Sequence, residues 1–343
     1  MSYRYTELKS ELLLQIAMGA YPDGAVLPSE RDLARMYRIS RVSVRRALDS
    51  LSGEGVLEKA PNSRTCVRSL PVRPGSLQFV FIAERPLHNI PELYRKFYEA
   101  FRLKCALLGY QLRYCDLSDE QASCIKTFDA GFYAGSRREM PPLPFELGRL
   151  IRLECIADSP EPVVTTDNFA GGFMAAEYLK ECGCRRAAAF FPDELSENRA
   201  FQSRIAGFCR GCLETGMECR QIISPNSTFR SVFATLQGEC GLREVDGLFC
   251  LYDYLAFNVM CALKALEIKV AKDISLIGFD GFETGTFLLP PLTSIVHPVN
   301  QIIDRAIALA VREGECRGEF FIRPSIAIRK STLPHGQKHR RKI

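Results

Sequence analysis

From residue 79 onward, short apolar runs alternate with amphipathic stretches, and this alternation constrains the fold more than any other feature of the chain. Phe79-Val80-Phe81-Ile82-Ala83, Ala130-Gly131-Phe132-Tyr133-Ala134, Ala187-Ala188-Ala189-Phe190-Phe191, Gly247-Leu248-Phe249-Cys250-Leu251 and Ile274-Ser275-Leu276-Ile277-Gly278-Phe279 are continuously apolar or small and only five or six residues long. That is the pattern of parallel strands buried on both faces. Further strands are predicted over 110–115, 150–153 and 163–165. Helices are predicted over 91–108, 169–182, 201–215, 254–266 and 299–313. Strand–helix alternation on this scale predicts an α/β fold with doubly wound parallel sheets. Residues 77–333 are long enough for two such lobes, and an apolar content of 47% can fill their cores.

The first seventy residues follow another rule. Leu8, Leu12, Leu13 and Ile16 mark an amphipathic helix over 5–18, ended by Gly19 and Pro22-Asp23-Gly24. Ser29, with Asp32 three residues on, caps a short helix over 29–37. Ser40 caps a third over 40–52, with Val44, Ala47, Leu48 and Leu51 on one face. A hairpin is predicted from 56–59 and 65–68, so this part reads as a winged helix-turn-helix. Leu70-Pro71-Val72-Arg73-Pro74-Gly75-Ser76 reads as a stiff linker.

Charge supports this division. Residues 1–70 carry 11 Lys and Arg against 8 Asp and Glu, residues 335–343 carry 4 against none, and the body between carries 30 against 32. Six arginines face two acids between Glu30 and Arg46. Arg41 and Arg45, four apart, share the helix face opposite the apolar stripe, where guanidinium forks can read guanine edges or clamp phosphates. A merely solvated charged face is the alternative.

The stretches Leu27-Pro28-Ser29-Glu30-Arg31-Asp32-Leu33-Ala34 and Ile39-Ser40-Arg41-Val42-Ser43-Val44-Arg45-Arg46-Ala47-Leu48 resemble a GntR-family DNA-binding domain over residues 3–68. The resemblance implies DNA contacts from Arg31, Ser40, Arg41, Ser43 and Arg45 and from the wing tip. Arg35 and Arg46 join the candidate set from the same helices. The wing departs from the family's Gly-x-Gly-Thr, with Asn62-Ser63-Arg64-Thr65 in its place. Asn62 tolerates a left-handed backbone and Arg64 can enter a minor groove.

In open α/β sheets, ligands bind beyond the carboxyl ends of the strands. Asp253 and Asp280 follow two predicted strands; Asn198, Arg199 and Arg204 follow a third. Carboxylates and guanidiniums gathered there suit a polar or polyhydroxylated ligand. The alternative is that both aspartates are helix caps or turn formers.

Val163-Val164-Thr165-Thr166-Asp167-Asn168, Arg204-Ile205-Ala206-Gly207-Phe208, and Asp273-Ile274-Ser275-Leu276-Ile277-Gly278-Phe279-Asp280 with Pro290-Pro291-Leu292-Thr293-Ser294-Ile295 resemble a LacI/GalR-type effector domain. That resemblance implies a periplasmic-binding-protein-like pair of lobes that close on a small effector. It carries ligand contact onto Arg204, Asp253 and Asp280. Tyr252 stands where the family often has Asn, which would allow stacking on a ring. In the first lobe the candidates are Glu84 and Arg85, with His88 and Asn89 nearby, then Tyr94, and Ser136 and Arg137.

The organisation expected is a winged helix-turn-helix at 1–69, a linker at 70–76, a body at 77–333 and a basic tail at 334–343. Lobe 1 would take about 77–166 and 295–319, lobe 2 about 167–294 and 320–333. Together the resemblances imply an arabinose-repressor-type transcription regulator. It would bind double-stranded operator DNA as a homodimer and respond to a small effector, most simply a sugar, with a purine or nucleoside as the alternative. An enzyme built on the α/β body is a further alternative, but no nucleophile–base set is found. No cofactor and no metal are expected. Cys209-Arg210-Gly211-Cys212, with Cys182, Cys184 and Cys219, admits a zinc site, against the core reading of a helical i, i+3 pair. No apolar run approaches a membrane span and Met1–Glu7 lacks a signal core, so the 14 cysteines are expected as reduced thiols in a cytoplasm.

Overall fold

The computed structural model describes residues 24–37, 39–53, 56–59, 64–68, 77–117, 127–135, 140–155, 159–196, 198–239, 242–312 and 316–332, with Tyr5, Leu8, Lys9, Glu11, Leu12, Gln15, Ile16, Tyr21, Arg137 and Gly314. The linker, the basic tail, Asn62 and Ser136 lie outside these residues. The chain divides into two units, Met1–Leu153 with Ile303–Cys316 and Glu154–Ile302 with Arg317–Ile343. Among the described residues no helix is long and apolar enough to cross a membrane.

The N-terminal part of unit 1 has the predicted helices. Positions 5, 8, 9, 11, 12, 15 and 16 are helical, followed by α1 (Glu30–Met36) and α2 (Arg41–Gly53). Ser29 caps α1, its hydroxyl accepting from the Asp32 N–H at 3.2 Å and donating to the Asp32 carboxylate at 2.7 Å. β1 (Leu57–Lys59) and β2 (Thr65–Val67) pair antiparallel as the wing, and Val26 bridges to Cys66 on its other side. Leu8, Leu12, Leu33, Val44, Leu48, Leu51 and Val67 make one buried core.

The rest of unit 1 is built on β3 (Gln78–Ala83), α3 (Glu92–Leu108), β4 (Gln111–Asp116), β5 (Thr127–Phe128), β6 (Ala130–Ala134), β7 (Glu146–Leu147) and β8 (Leu150–Leu153). The strands β8, β6, β3 and β4 run side by side and parallel, and β5 pairs with β7. Phe97, Phe101 and Cys105 of α3 are buried, and Phe101 packs on Phe132 with ring centroids 4.3 Å apart.

Unit 2 contains β9 (Val163–Thr166), α4 (Asn168–Glu181), β10 (Arg186–Pro192), α5 (Arg199–Glu214), β11 (Glu218–Ser224), α6 (Phe229–Gly238), β12 (Gly247–Cys250), α7 (Asp253–Ala265), β13 (Ser275–Asp280) and β14 (Thr293–Val296). After α8 (Val299–Val311), whose C-terminal part belongs to unit 1, come β15 (Glu319–Ile322) and β16 (Ser325–Ala327). β15 pairs with β9. The main sheet has the order β11-β10-β12-β13-β14-β16, parallel except for the antiparallel edge strand β16. Its residues alternate between two apolar layers, as a two-residue period requires. Ala188, Phe190, Leu248, Cys250 and Leu276 pack with Val232 of α6 and Leu255, Val259 and Leu263 of α7. Ala187, Ala189, Phe191, Phe249, Ile277 and Phe279 pack with α4 and α5. β11 and α6 carry no clear signal in the sequence, because β11 is an edge strand with four exposed positions and α6 is short.

Candidate functional site

The first candidate surface lies on the winged domain. Ser40 caps α2, its hydroxyl accepting from the Ser43 N–H at 3.1 Å and pairing with the Ser43 hydroxyl at 2.9 Å. The helix buries Val44, Ala47, Leu48 and Leu51 and leaves Arg41 and Arg45 exposed. Glu30, on α1, reaches across to both. It accepts from Arg45 Nε at 3.1 Å and Nη2 at 2.9 Å, and Arg41 Nη2 lies 3.8 Å away. The Arg45 fork holds the Glu30 carboxyl below its usual value. A cavity of about 790 Å³ runs along this face, lined by Arg31, Arg41, Arg45, Arg64, Lys59 and Glu30 among others. The structure therefore gathers four of the candidate arginines on one groove. Arg35 pairs instead with Asp32 at 3.0 Å, and the Arg46 guanidinium stacks on Tyr5, 4.3 Å from the ring centre. Glu30 and Lys59 are the members of this surface that the sequence reading missed. An i, i+15 ion pair between two helices leaves no periodic trace.

The second candidate surface lies in unit 2, at the carboxyl ends of β10, β12, β13 and β14, where strand order reverses around β10. Arg204 of α5 is buried there, with its Nε donating to Asn168 Oδ1 at 2.8 Å and Nη1 donating to the Leu251 carbonyl. Its Nη1 is 3.8 Å from Asp280 Oδ1. Its face lies 3.5 Å from the centre of the Phe279 ring, a cation–π contact in a desolvated place. Burial outweighs the surrounding carboxylates and brings the guanidinium down to about 10.

His297 closes the cluster. Nε2 is 3.3 Å from Asp280 Oδ1, and Nδ1 is 2.6 Å from Thr166 Oγ1 and 3.6 Å from Glu154 Oε1. Burial opposes the imidazolium, but Glu154 and Asp280 outweigh it and raise the imidazole above its ordinary value. Glu154 also accepts from the Thr166 N–H at 2.9 Å and hydroxyl at 2.6 Å. Burial works against its charge too, yet His297 and Thr166 hold it below the usual carboxylate value.

Asp253 is buried with both oxygens used inside the fold: Oδ1 accepts from Ser294 Oγ at 2.6 Å and Oδ2 from the Phe282 N–H at 2.8 Å. Burial, then repulsion from Asp280, push it up to about 7. Asp280 has φ of 122°, a conformation that costs an L-residue roughly 1–3 kcal/mol. Contacts from Arg204, His297 and the Asp253 N–H, 3.3 Å from Oδ2, hold it there. Tyr252 leans on Phe201 with centroids 5.7 Å apart, and Arg199 is exposed at the start of α5.

Asn168, Glu154 and His297 are the members the sequence reading missed. His297 follows β14 as Asp280 ends β13, so the strand-end rule could have found it. Glu154 directly follows β8, so the same rule could have singled it out.

In unit 1, Glu84 follows β3 and accepts from the Tyr133 hydroxyl at 2.5 Å and the Arg137 N–H at 3.0 Å. Arg85 is exposed, its carbonyl accepting from the Tyr114 hydroxyl at 2.5 Å, and Tyr94 is half-buried in α3. Among the described residues no group of three or more His, Cys, Asp or Glu is placed to hold a metal ion.

Residues 4–67 match bacterial regulatory proteins of the gntR family, and residues 176–332 match the periplasmic binding protein-like domain. The chain thus joins a GntR-type winged helix-turn-helix to a periplasmic-binding-protein-like α/β domain, the make-up of a ligand-responsive transcription regulator. It is 24% identical to the arabinose metabolism transcriptional repressor of Geobacillus stearothermophilus, across 96% of this chain and 97% of that protein. It is 30% identical to the transcriptional repressor PurR of Serratia proteamaculans (strain 568), across 41% of this chain and 42% of that one. A LacI family regulator from Enterococcus faecium, solved with bound ribose, has the same fold over 75% of this chain and 99% of its own, at 18% identity and a TM-score of 0.57.

Proposed function

We propose that this regulator is a repressor that binds a roughly palindromic operator through paired winged domains, and that a small polyhydroxylated effector, a sugar, bound at the Arg204–Asp280 face, relieves the repression. The observation that carries the effector reading is the set of buried Arg204, His297 and Asn168 with half-buried Asp280 at the strand ends. It places donors and acceptors side by side, as hydroxyl groups require. Tyr252 offers a ring face nearby. The full-length likeness to an arabinose repressor supports a sugar over a purine, since the PurR likeness spans less than half of this chain. For DNA, the carrying observation is the exposed Arg41–Arg45 pair held at one groove by Glu30. A second copy is supported by an apolar face on unit 2, where Phe287 and Leu289 are 82% and 91% exposed beside a cavity of about 810 Å³.

The test is fluorescence anisotropy on DNA from upstream of the neighbouring genes, across a salt series, with L-arabinose, D-ribose and purine bases added in turn. Salt-sensitive binding released by one pentose is the expected result. Release by a purine alone overturns the sugar reading, and absence of salt-sensitive binding overturns the operator reading.

A further inference from the structure

Three thiols meet near the outer edge of unit 2. Cys209 lies on α5 and Cys219 on β11, ten positions apart in sequence, and their sulfurs are 3.6 Å apart. Cys212, one turn beyond Cys209, is buried, and its thiol also lies against Cys219. β11 is the edge strand of the sheet, Cys219 is exposed and Cys209 is half-buried. Cys182, Cys184 and Cys250 are instead sealed in the core as small apolar groups. The Cys209–Cys219 pair is therefore open to a small reagent and already at sulfur–sulfur contact. A disulfide of about 2.05 Å needs a further approach of roughly 1.5 Å.

We propose that Cys209 and Cys219 are an oxidisable pair, which a low-molecular-weight disulfide converts into an intramolecular cystine joining α5 to β11. The Cys219 thiolate attacks one sulfur of the reagent, forming a mixed disulfide and expelling one small thiolate. The Cys209 thiolate then attacks the Cys219 sulfur and expels the second. The protein loses two protons and two electrons, and the reagent leaves as two thiols. The Cys219 thiol and burial keep Cys209 protonated at neutral pH, and for Cys219 the pull of Cys209 toward the thiolate is outweighed by Cys212 and burial, so the exchange is slow and is read at equilibrium. The bridge would tie the helix that carries Arg204 to the edge strand β11.

The full-length protein is equilibrated with an excess of oxidised glutathione, trapped with an alkylating reagent and mapped by peptide mass spectrometry. The expected result is a chain lighter by two hydrogens, with a Cys209–Cys219 linkage that persists in Cys212→Ser and is lost in Cys209→Ser and Cys219→Ser. Glutathione left on Cys219 of the wild-type chain, a Cys212–Cys219 or interchain linkage in its place, or fully alkylated thiols after equilibration would each overturn it. The wild-type map stands whether or not the variants fold.

Discussion

Glu30 holds Arg45 with both carboxylate oxygens, at 3.1 and 2.9 Å, across the angle between the two helices of the helix-turn-helix. An exposed ion pair contributes little to stability, so its importance lies in orientation. It fixes the rotamer of a guanidinium that would otherwise sample solvent.

Arg45→Ala is expected to weaken operator binding by about 1–3 kcal/mol, roughly 5- to 150-fold, the range of a bidentate base contact. Arg41→Ala should fall in the same range. Both variants should keep the wild-type thermal shift with effector. Anisotropy and a melting curve, run on the same preparation, check the two halves separately.

Glu30→Gln keeps the shape and removes the charge that engages Arg45 and Arg41. Nonspecific DNA affinity should rise, discrimination between operator and random DNA should fall, and the salt slope should steepen by about one. An unchanged slope would mean that Glu30 does not restrain the arginines.

Arg204→Met leaves half-buried Asp280 and buried Asn168 without their guanidinium partner. Breaking a buried pair costs about 3–5 kcal/mol, so the variant should melt well below wild type and lose its effector-induced shift. Arg204→Met combined with Asp280→Asn should recover part of the stability without the shift. Differential scanning calorimetry of the three proteins measures this.

Stability should peak in mildly acidic solution. His297 is raised, so its contribution is complete below about 6.5 and is lost as pH rises through its folded value. Asp253, raised to about 7, likewise stabilises the protonated protein and loses that contribution as pH rises through 7. Glu154 is lowered, so its contribution is present above the ordinary carboxylate value and is lost in stronger acid. His297→Gln should flatten the alkaline side and Asp253→Asn the region below 7. Melting temperatures measured from pH 4 to 9 decide it.

Gly207→Ala tests the seat of Arg204. A Cβ at Gly207 would lie 2.0 Å from the Phe169 carbonyl, and one at Gly172 equally close to the Arg204 carbonyl, so α4 and α5 touch backbone to backbone. Separating them should cost about 1–3 kcal/mol or more. The measurements are chemical denaturation for stability and the effector-induced thermal shift for the site.

Local chemistry made much of this protein legible in the chain itself. Ser29 and Ser40 announce their helices because a hydroxyl before an apolar periodic run satisfies free N–H groups. The Ala187–Phe191, Gly247–Leu251 and Ile274–Phe279 runs announce buried parallel strands because both of their faces must be apolar. Arg204 and Asp280 could be singled out because strand ends in such sheets face a crevice. Tertiary structure alone decided the partners. Glu30 with Arg45, Glu154 with His297, and Cys209 with Cys219 meet because separate elements pack together. Whether Asp253 lies open or is enclosed by Ser294 and the Phe282 N–H is likewise a matter of packing. Periodicity and capping act within a few residues along the chain, whereas an ion pair or a thiol contact is set by distances that only the folded sheet and its covering helices define.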